Sequence, residues 1–556
     1  MEINKRTILW IVFSVSLVLL WNEWMVSNGK QSMFSATPPP VTAPAAKGPV
    51  SDLPNASAPA GAAALPGAIP AQAPAKSEVV TITTDVMKVD IDTVGGVIKH
   101  LELLKYKHAR DNTRDQVLFD VTPTTTFVAQ SGLLGNAPGV VLPNHTTVFT
   151  AKPGPRSIDG ANQVQLVLEA EQGGVKLTKT YTFKRDDYLI DIRHDVTNVG
   201  PAPVTPSLYL QLEHDGNKPE GDSYFNKSYT GPTLYTPAEK YQKLQFEKIE
   251  KHGHEEHPTK ADGGWVAISQ HYFVSAFVPP QGKPREIFTK KVDTNLYAIG
   301  TVMPLGTLAP GATVTNDTKL YSGPQDENKL AKIAPGLELV KDYGKLTIIA
   351  QPIFWVMDHL HQIIGNWGWT IIAFTILIKL LFFPLSAAGY KSMARVKLVT
   401  PKMQAIRERY KNDPAKMNQA TMELYKTEKI NPLGGCLPMV VQMPVFIALY
   451  WVLQASAEMR GAPWVGWIHD LTAPDPYFIL PVLYAISMFI TTKLNPAPAD
   501  PVQAKMMLFM PLAFSVMFVF FPSGLVLYWV VNNILSITQQ WVITKKFENS
   551  ALAKKK

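Results

Sequence analysis

The sequence predicts a multi-pass α-helical membrane protein with a large all-β sandwich outside the cytoplasm and a helical hairpin inside it. Three observations predict this class. Apolar runs suited to crossing a bilayer occur once at the N-terminus and five times after residue 366. Between them, residues 77–322 alternate apolar and polar side chains with the period of β-strands. The lysines and arginines behind the formal charge of +8 concentrate between the C-terminal apolar runs of this 556-residue chain. That placement is a topology signal before it is a nucleic-acid signal. No nucleic-acid reader motif accompanies it, so no specific nucleic-acid partner is expected. The one cysteine, Cys436, excludes an intramolecular disulfide.

Residues 1–26 place Lys5 and Arg6 ahead of "TILWIVFSVSLVLLW", a transmembrane anchor whose basic N-terminus stays in the cytoplasm. The rival is a cleaved signal peptide, because residues 8–21 alone have that length. The Trp-Asn-Glu-Trp end, however, resembles an interface anchor more than a small-residue cleavage site. Residues 27–76 include "TPPPVTAPAAKGPV" and "ALPGAIPAQAPAK", a Pro/Ala-rich linker that cannot bury a core and reads as an extended tether. In residues 77–322, "VQLVLEAEQGGVKLTKTYTF" sets Val164, Leu166 and Leu168 on one face, and Gly173-Gly174 supplies a turn. Many short strands with Gly, Pro and Asn punctuation predict a sandwich. Residues 329–365 turn amphipathic, with Asp358, His359 and His361 among apolar residues, and predict helices lying at the outer membrane interface.

The five-helix core is expected over residues 366–544, with spans at 367–386, 437–455, 477–492, 506–521 and 524–544. Residues 390–429 carry ten lysines and arginines, whereas loop 456–476 carries only Arg460. The tail 545–556 is basic again. The positive-inside rule makes the long loop and the tail cytoplasmic, and six spans then put both termini inside and the β domain outside. The basic loop reads as two antiparallel helices. Met393, Val396, Met403 and Ile406 recur near helical spacing, with Arg395 and Arg407 among them. A kink or restart is expected at Thr400-Pro401. Asp413 suits the cap of the second helix, Pro414 its first position, and Met417 and Met422 follow. Methionines fit irregular apolar partners, and the plainest use of these is to pack the hairpin together.

The candidate site starts from "TILIKLLFFPL", where Lys379 sits inside an apolar run. A charge at mid-bilayer costs at least about 2.5–3.5 kcal/mol. Thr375, four residues earlier, shares its helix face. Lys379 precedes Ser386 by seven residues, roughly 10 Å below the expected cytoplasmic end. A snorkelling anchor is the bland alternative to a lysine lining a polar recess. The last span favours the recess. Its "LYWVVNNILSITQQW" sets Trp529, Asn533, Ser536 and Gln540 on one face, with Asn532, Ser536 and Gln539 as an overlapping stripe, and Gln442 adds an amide from residues 437–455. Such polarity is costly toward lipid and belongs inside the bundle, where interhelical hydrogen bonding is a second use for it.

Spans two to six contain no Asp or Glu, which argues against a proton-coupled transporter. It also leaves Lys379 to receive an acidic group from another molecule. Two of the spans have cores of about 16 residues, roughly 24 Å against about 30 Å of hydrocarbon, and would thin the bilayer locally. "KHGHEEHPTK" lacks the spacing of H-E-x-x-H, and no P-loop or nucleophile elbow occurs. No cofactor, metal or enzymatic activity is expected.

The stretches "KINPLGGCLPMVVQMPVFIALYWVLQAS", "WIHDLTAPDPYFILP" and "FMPLAFSVMFVFFPSGLVLYWVVNNILSITQQ", with the six-span plan, resemble the YidC/Oxa/Alb family of membrane protein insertases. The resemblance spans the chain and is most specific over residues 367–544. It implies a bacterial inner-membrane insertase and chaperone for nascent membrane proteins, acting alone or with the Sec translocon. It implies a periplasmic β-supersandwich, an interfacial helix, and a hydrophilic groove open to cytoplasm and lipid. The family's groove cation falls on Lys379, where arginine is usual, and neighbouring groove contacts fall on Thr375 and on Tyr528 or Trp529. Lysine keeps the charge but loses the bidentate fork. The hairpin at 390–429 is where ribosome or signal-recognition targeting contacts are expected.

Overall fold

The computed structural model describes residues 53–54, 77–108, 111, 113–135, 140–217, 229–410, 413–428, 437–495, 506, 509, 513 and 515–553. The N-terminal anchor, nearly all of the linker and residues 507, 508, 510–512 and 514 of the span expected at 506–521 lie outside the described residues. So do the tip of the hairpin and the end of the tail.

Period-two alternation becomes two antiparallel sheets. The centre of one is formed by Val97–Lys107, Thr126–Leu134, Ser207–Asp215 and Leu296–Pro304. The centre of the other is Phe273–Val278, Thr313–Pro324, Leu189–Asn198 and Val175–Lys184. Their apolar faces share one core that includes Leu101, Leu166, Ile192, Leu210 and Ile299. Gln163–Gln172 pairs with Val175–Lys184 through Gly173 and Gly174, whose φ of 59° and 74° are those of a two-residue hairpin turn. Val164, Leu166 and Leu168 all point into the core. A short helix, α1 (Phe246–His252), packs Phe246 and Ile249 onto the sandwich.

Several polar groups are sealed inside, a lysine among them. Lys179 Nζ donates to the carbonyls of Gly95 and Ser131, both at 2.7 Å, and the side chain is fully buried. Burial pushes Lys179 down to about 7. His194, bonded through Nε2 to Ser131 Oγ at 3.0 Å, is pushed down to about 3, first by burial and then by Lys179.

The sandwich ends in a fastening. Helix α2 (Glu327–Ile333) is capped by Asp326, whose side chain accepts from the amides of Asn328 and Lys329. Two 3-10 turns, Leu337–Val340 and Gly344–Leu346, lead into α3 (Thr347–Ile364), so the expected interfacial segment is these four pieces. Lys341, with a fully buried side chain, pairs with Glu458 at 2.8 Å and lies 3.5 Å over the Phe354 ring. Desolvation raises the Glu458 carboxyl, and Lys341 opposes that rise. Two residues on, Arg460 donates to the Lys107 carbonyl at 2.7 Å and to Gln116 Oε1 at 2.9 Å, with its guanidinium over Phe273. His271, pushed down to about 4 by burial, bonds the Gln454 carbonyl at 2.9 Å. The loop's single arginine, read from sequence as a topology signal, thus also bolts that loop to the sandwich.

The helical part departs from the expected spans in three places. The span expected at 367–386 breaks into α4 (Trp367–Leu381) and α5 (Phe383–Arg409), bent by 67°. Pro384 has no N–H for the Leu380 carbonyl, and its ring disfavours a continuous helix, so α4 ends just ahead of it. Lys379 therefore lies in the last turn of α4 and not seven residues before a helix end at Ser386. By contrast α5 runs through Pro401 as one helix, so of the kink or restart expected there, the restart does not occur. Helices α6 (Pro414–Thr427), α7 (Leu437–Ala455), α8 (Ile479–Leu494) and α9 (Ser523–Ala553) follow. Helix α9 continues nine residues past the expected end at 544, so residues 545–553 of the basic tail are helical. Among the described residues, no single helix is long and apolar enough to cross a membrane, but the bent pair α4–α5 together passes that test.

Two outcomes are expected. Lys179 is depressed relative to an unfolded lysine, so its contribution is fully present above about pH 10.5 and is lost as pH falls through about 7. The full chain's stability should fall between those values with a slope of at most ~1.4 kcal/mol per pH unit. Lys179→Met should flatten that slope in denaturant titrations, and an unchanged slope would reject the assignment. Glu458→Ala strands a buried ammonium and should cost ~3–5 kcal/mol, measured by unfolding in detergent, while Lys341→Met with Glu458→Leu should recover most of it.

Candidate substrate groove

The site is built on α4 and α9, with α5, α7 and α8 around them. Helix α4 starts cleanly because Asn366 Oδ1 accepts from the Trp369 amide at 3.1 Å. Its two faces differ sharply. Thr375 and Lys379 are 1% and 3% exposed, whereas Leu380 and Leu381 are 64% and 67% exposed. The lysine thus points into the bundle and the leucines point outward, in the direction lipid would occupy.

Opposite stands the polar stripe of α9. Lys379 Nζ donates to Ser536 Oγ at 2.6 Å, and Ser536 donates onward to the Asn532 carbonyl at 2.7 Å. Tyr390, on α5, also hydrogen-bonds Ser536. Asn533 Nδ2 donates to Ser487 Oγ of α8 at 3.1 Å, and Gln540 Nε2 donates to Asn495 Oδ1 at 3.0 Å. Asn532, Asn533 and Gln540 are all buried. Among the described residues no carboxylate acts on Lys379. Among the described residues the buried ammonium is held by one hydroxyl and by no carboxylate, which leaves much of its desolvation cost uncompensated.

Other candidates fall elsewhere. Thr375 Oγ1 is spent on the Ile371 carbonyl of its own helix at 2.6 Å and does not reach Lys379. Tyr528 is buried in the helical core. Trp529 sits in an aromatic cluster 4.8 Å from Phe446 and 6.0 Å from Tyr484. Its indole N–H and the Gln442 amide nitrogen are buried with no hydrogen-bond partner among the described residues. Sequence reasoning missed Tyr390, Ser487 and Asn495. The signal for Ser487 was a single serine in "VLYAISMFI", which by itself does not announce the tie to another helix that it makes beside the bond within its own.

In the hairpin, Asp413 accepts from the Lys416 amide at 3.1 Å and Pro414 is the first helical residue. The two helices meet through Lys402–Glu428 at 2.6 Å and Tyr425 OH against Met403 Sδ at 3.6 Å. Met393, Met403 and Met417 are half-buried, while Met422 is 53% exposed. Arg407 is half-buried and Arg395 exposed. The histidines of "KHGHEEHPTK" form no metal-holding group among the described residues.

Comparison with known proteins agrees with this division. The family model for the YidC periplasmic domain matches residues 79–356, and that for the 60Kd inner membrane protein matches residues 359–550. The membrane protein insertase YidC of Janthinobacterium sp. (strain Marseille) is 60% identical, covering 98% of this chain and 99% of its own. That of Cupriavidus necator is 58% identical over 97% of each. A crystal structure described as an active YidC insertase with its first transmembrane domain resolved overlays with a TM-score of 0.39 at 18% identity. It covers 84% of this chain and 92% of that one. The β sandwich is therefore the family's periplasmic domain and the helical part its inner-membrane portion, and the chain belongs to the YidC family of membrane protein insertases.

Proposed function

We propose that this protein inserts nascent membrane proteins into the bacterial inner membrane by offering Lys379 as a vacant electrostatic partner. The carrying observation is the ammonium held by Ser536 with no carboxylate acting on it among the described residues. A client with a short acidic tail slides its apolar helix along the exposed leucines of α4. Its carboxylate replaces Ser536 on Lys379 and gains a charge-assisted hydrogen bond. The tail then crosses the thinned outer half of the bilayer. The membrane potential contributes about 2.3 kcal/mol per charge per 100 mV, in the favourable sense for an acid leaving the cytoplasm. Burial of the client's apolar helix in lipid completes the process, and no covalent bond changes.

In this reading the chain spans the membrane six times with both termini cytoplasmic. The methionine- and lysine-bearing hairpin at 390–429 receives the ribosome or a signal-recognition targeting factor, and the Sec translocon delivers larger clients. The half-exposed Met422 and the exposed Arg395 support a docking role for the hairpin beyond its own packing.

Complementation after depletion tests the central claim. Lys379→Ala and Lys379→Glu should lower insertion of an acidic-tailed client by ~10-fold, the equivalent of one charge-assisted hydrogen bond, and Lys379→Arg should retain most of it. If Ala and Glu insert every client normally, the charge is only an anchor. The groove also needs α8 and α9 held together. A double-mutant cycle of Asn533→Ala and Ser487→Ala should return ~0.6 kcal/mol of coupling, with ~1.7 kcal/mol as an upper bound, in unfolding from bicelles.

A further inference from the structure

We propose that the recess between the β sandwich and helix α3 binds the zwitterionic head group of an ethanolamine phospholipid from the outer leaflet. The recess encloses about 890 Å³, part of it open to solvent. Two carboxylates line it without a cation of their own. Glu327 accepts only from neutral donors, Tyr343 OH at 3.0 Å and Gln351 Nε2 at 2.8 Å. Glu338 Oε2 is buried with no hydrogen-bond partner among the described residues. The two lysines in the lining are already engaged. Lys341 is turned inward onto Glu458, and Lys243 pairs with Asp342.

An unpartnered buried carboxylate oxygen asks for a donor, and leaving it unmatched is costly. A primary ammonium fits on three counts. It carries three N–H donors, enough for Glu338 and Glu327 together. Its charge offsets the carboxylates, and the rings of Tyr241 and Tyr343 in the same lining favour a cation. The phosphate of the same head group meets the Tyr241 hydroxyl, which is buried with no hydrogen-bond partner among the described residues, and Lys243, about one-third exposed, whose ammonium it would share with Asp342. The surroundings supply the remainder of a lipid's needs. Leu339 in the lining is 41% exposed, and Ile348, one residue beyond the lining Thr347, is 90% exposed. Trp355, two turns along α3, is 60% exposed and suits the interfacial belt. Exposed apolar side chains next to an acid-and-base recess describe the boundary between acyl chain and head group. A soluble ammonium compound would leave Ile348 and Leu339 in water.

The test is lipid binding to the full-length protein in detergent, followed by native mass spectrometry. The probes are dioctanoyl phosphatidylethanolamine, its N,N-dimethyl and choline counterparts, and dioctanoyl phosphatidylglycerol. The ethanolamine lipid should bind ~10-fold tighter than the choline and glycerol lipids, because each lost N–H strands a carboxylate oxygen. Glu338→Gln should abolish that preference. The methylation series on the unaltered protein decides the question even if the variant fails to fold. Equal binding across the four head groups overturns the proposal, as does a preference that survives Glu338→Gln in a folded variant. Magnesium ions alone occupying the site in a Glu338-dependent way, and displacing the lipid, would make it a cation site and also overturn it.

Discussion

Everything in the helical half answers to one unmet demand, the ammonium of Lys379 held inside apolar packing by a hydroxyl. A charge there needs neighbours that are polar yet not acidic, because a resident carboxylate would close the site permanently. The stripe of α9 meets that requirement with two asparagines, a serine and a glutamine, three of them tied to α4 or α8 or to the residue that follows α8. These ties hold the walls in place, and in the proposed mechanism the weakest-partnered group among them is the one a client claims. Specific orientation of the polar groups and availability of the cation are therefore served by the same few hydrogen bonds.

The periplasmic half contributes rigidity at a defined point. Glu458 and Arg460 are two residues apart on the loop after α7, yet one grips the segment leading into α3 and the other grips the sandwich edge. A buried ion pair of this kind adds little net stability over an apolar substitute, but removing either partner is severe. It fixes where the sandwich stands relative to the outer end of α7. The fully buried Lys179 shows the same economy within the sandwich, since its two carbonyl partners come from separate segments and join them.

Much of this was legible in the sequence because it rests on periodicity. The Gly173-Gly174 hairpin and the burial of Val164, Leu166 and Leu168 follow directly from alternation and a turn. The charge at 379 and the amides of the last span were visible because polarity in an apolar run is conspicuous. What stayed hidden depends on tertiary partners. Ser487 and Thr375 look alike in sequence and both hydroxyls donate to a carbonyl of their own helix, yet Ser487 also accepts a bond from Asn533 of another. Pro384 and Pro401 carry the same intrinsic penalty, yet the chain breaks at one and runs through the other. The pairs Lys341–Glu458 and Arg460–Lys107 join positions more than a hundred residues apart, and no local pattern announces them.

The break before Pro384 has an electrostatic consequence. Ending α4 at Leu381 places a helix C-terminus, with its partial negative charge of at most roughly −0.5, in the same turn as Lys379. A helix continuing to Ser386 would have carried that negative pole away from the ammonium. The bend thus provides a counter-charge made of backbone, which no incoming client can displace and no titration can remove. A proline five residues away, by terminating a helix, acts as a fixed fraction of an anion beside the groove's cation.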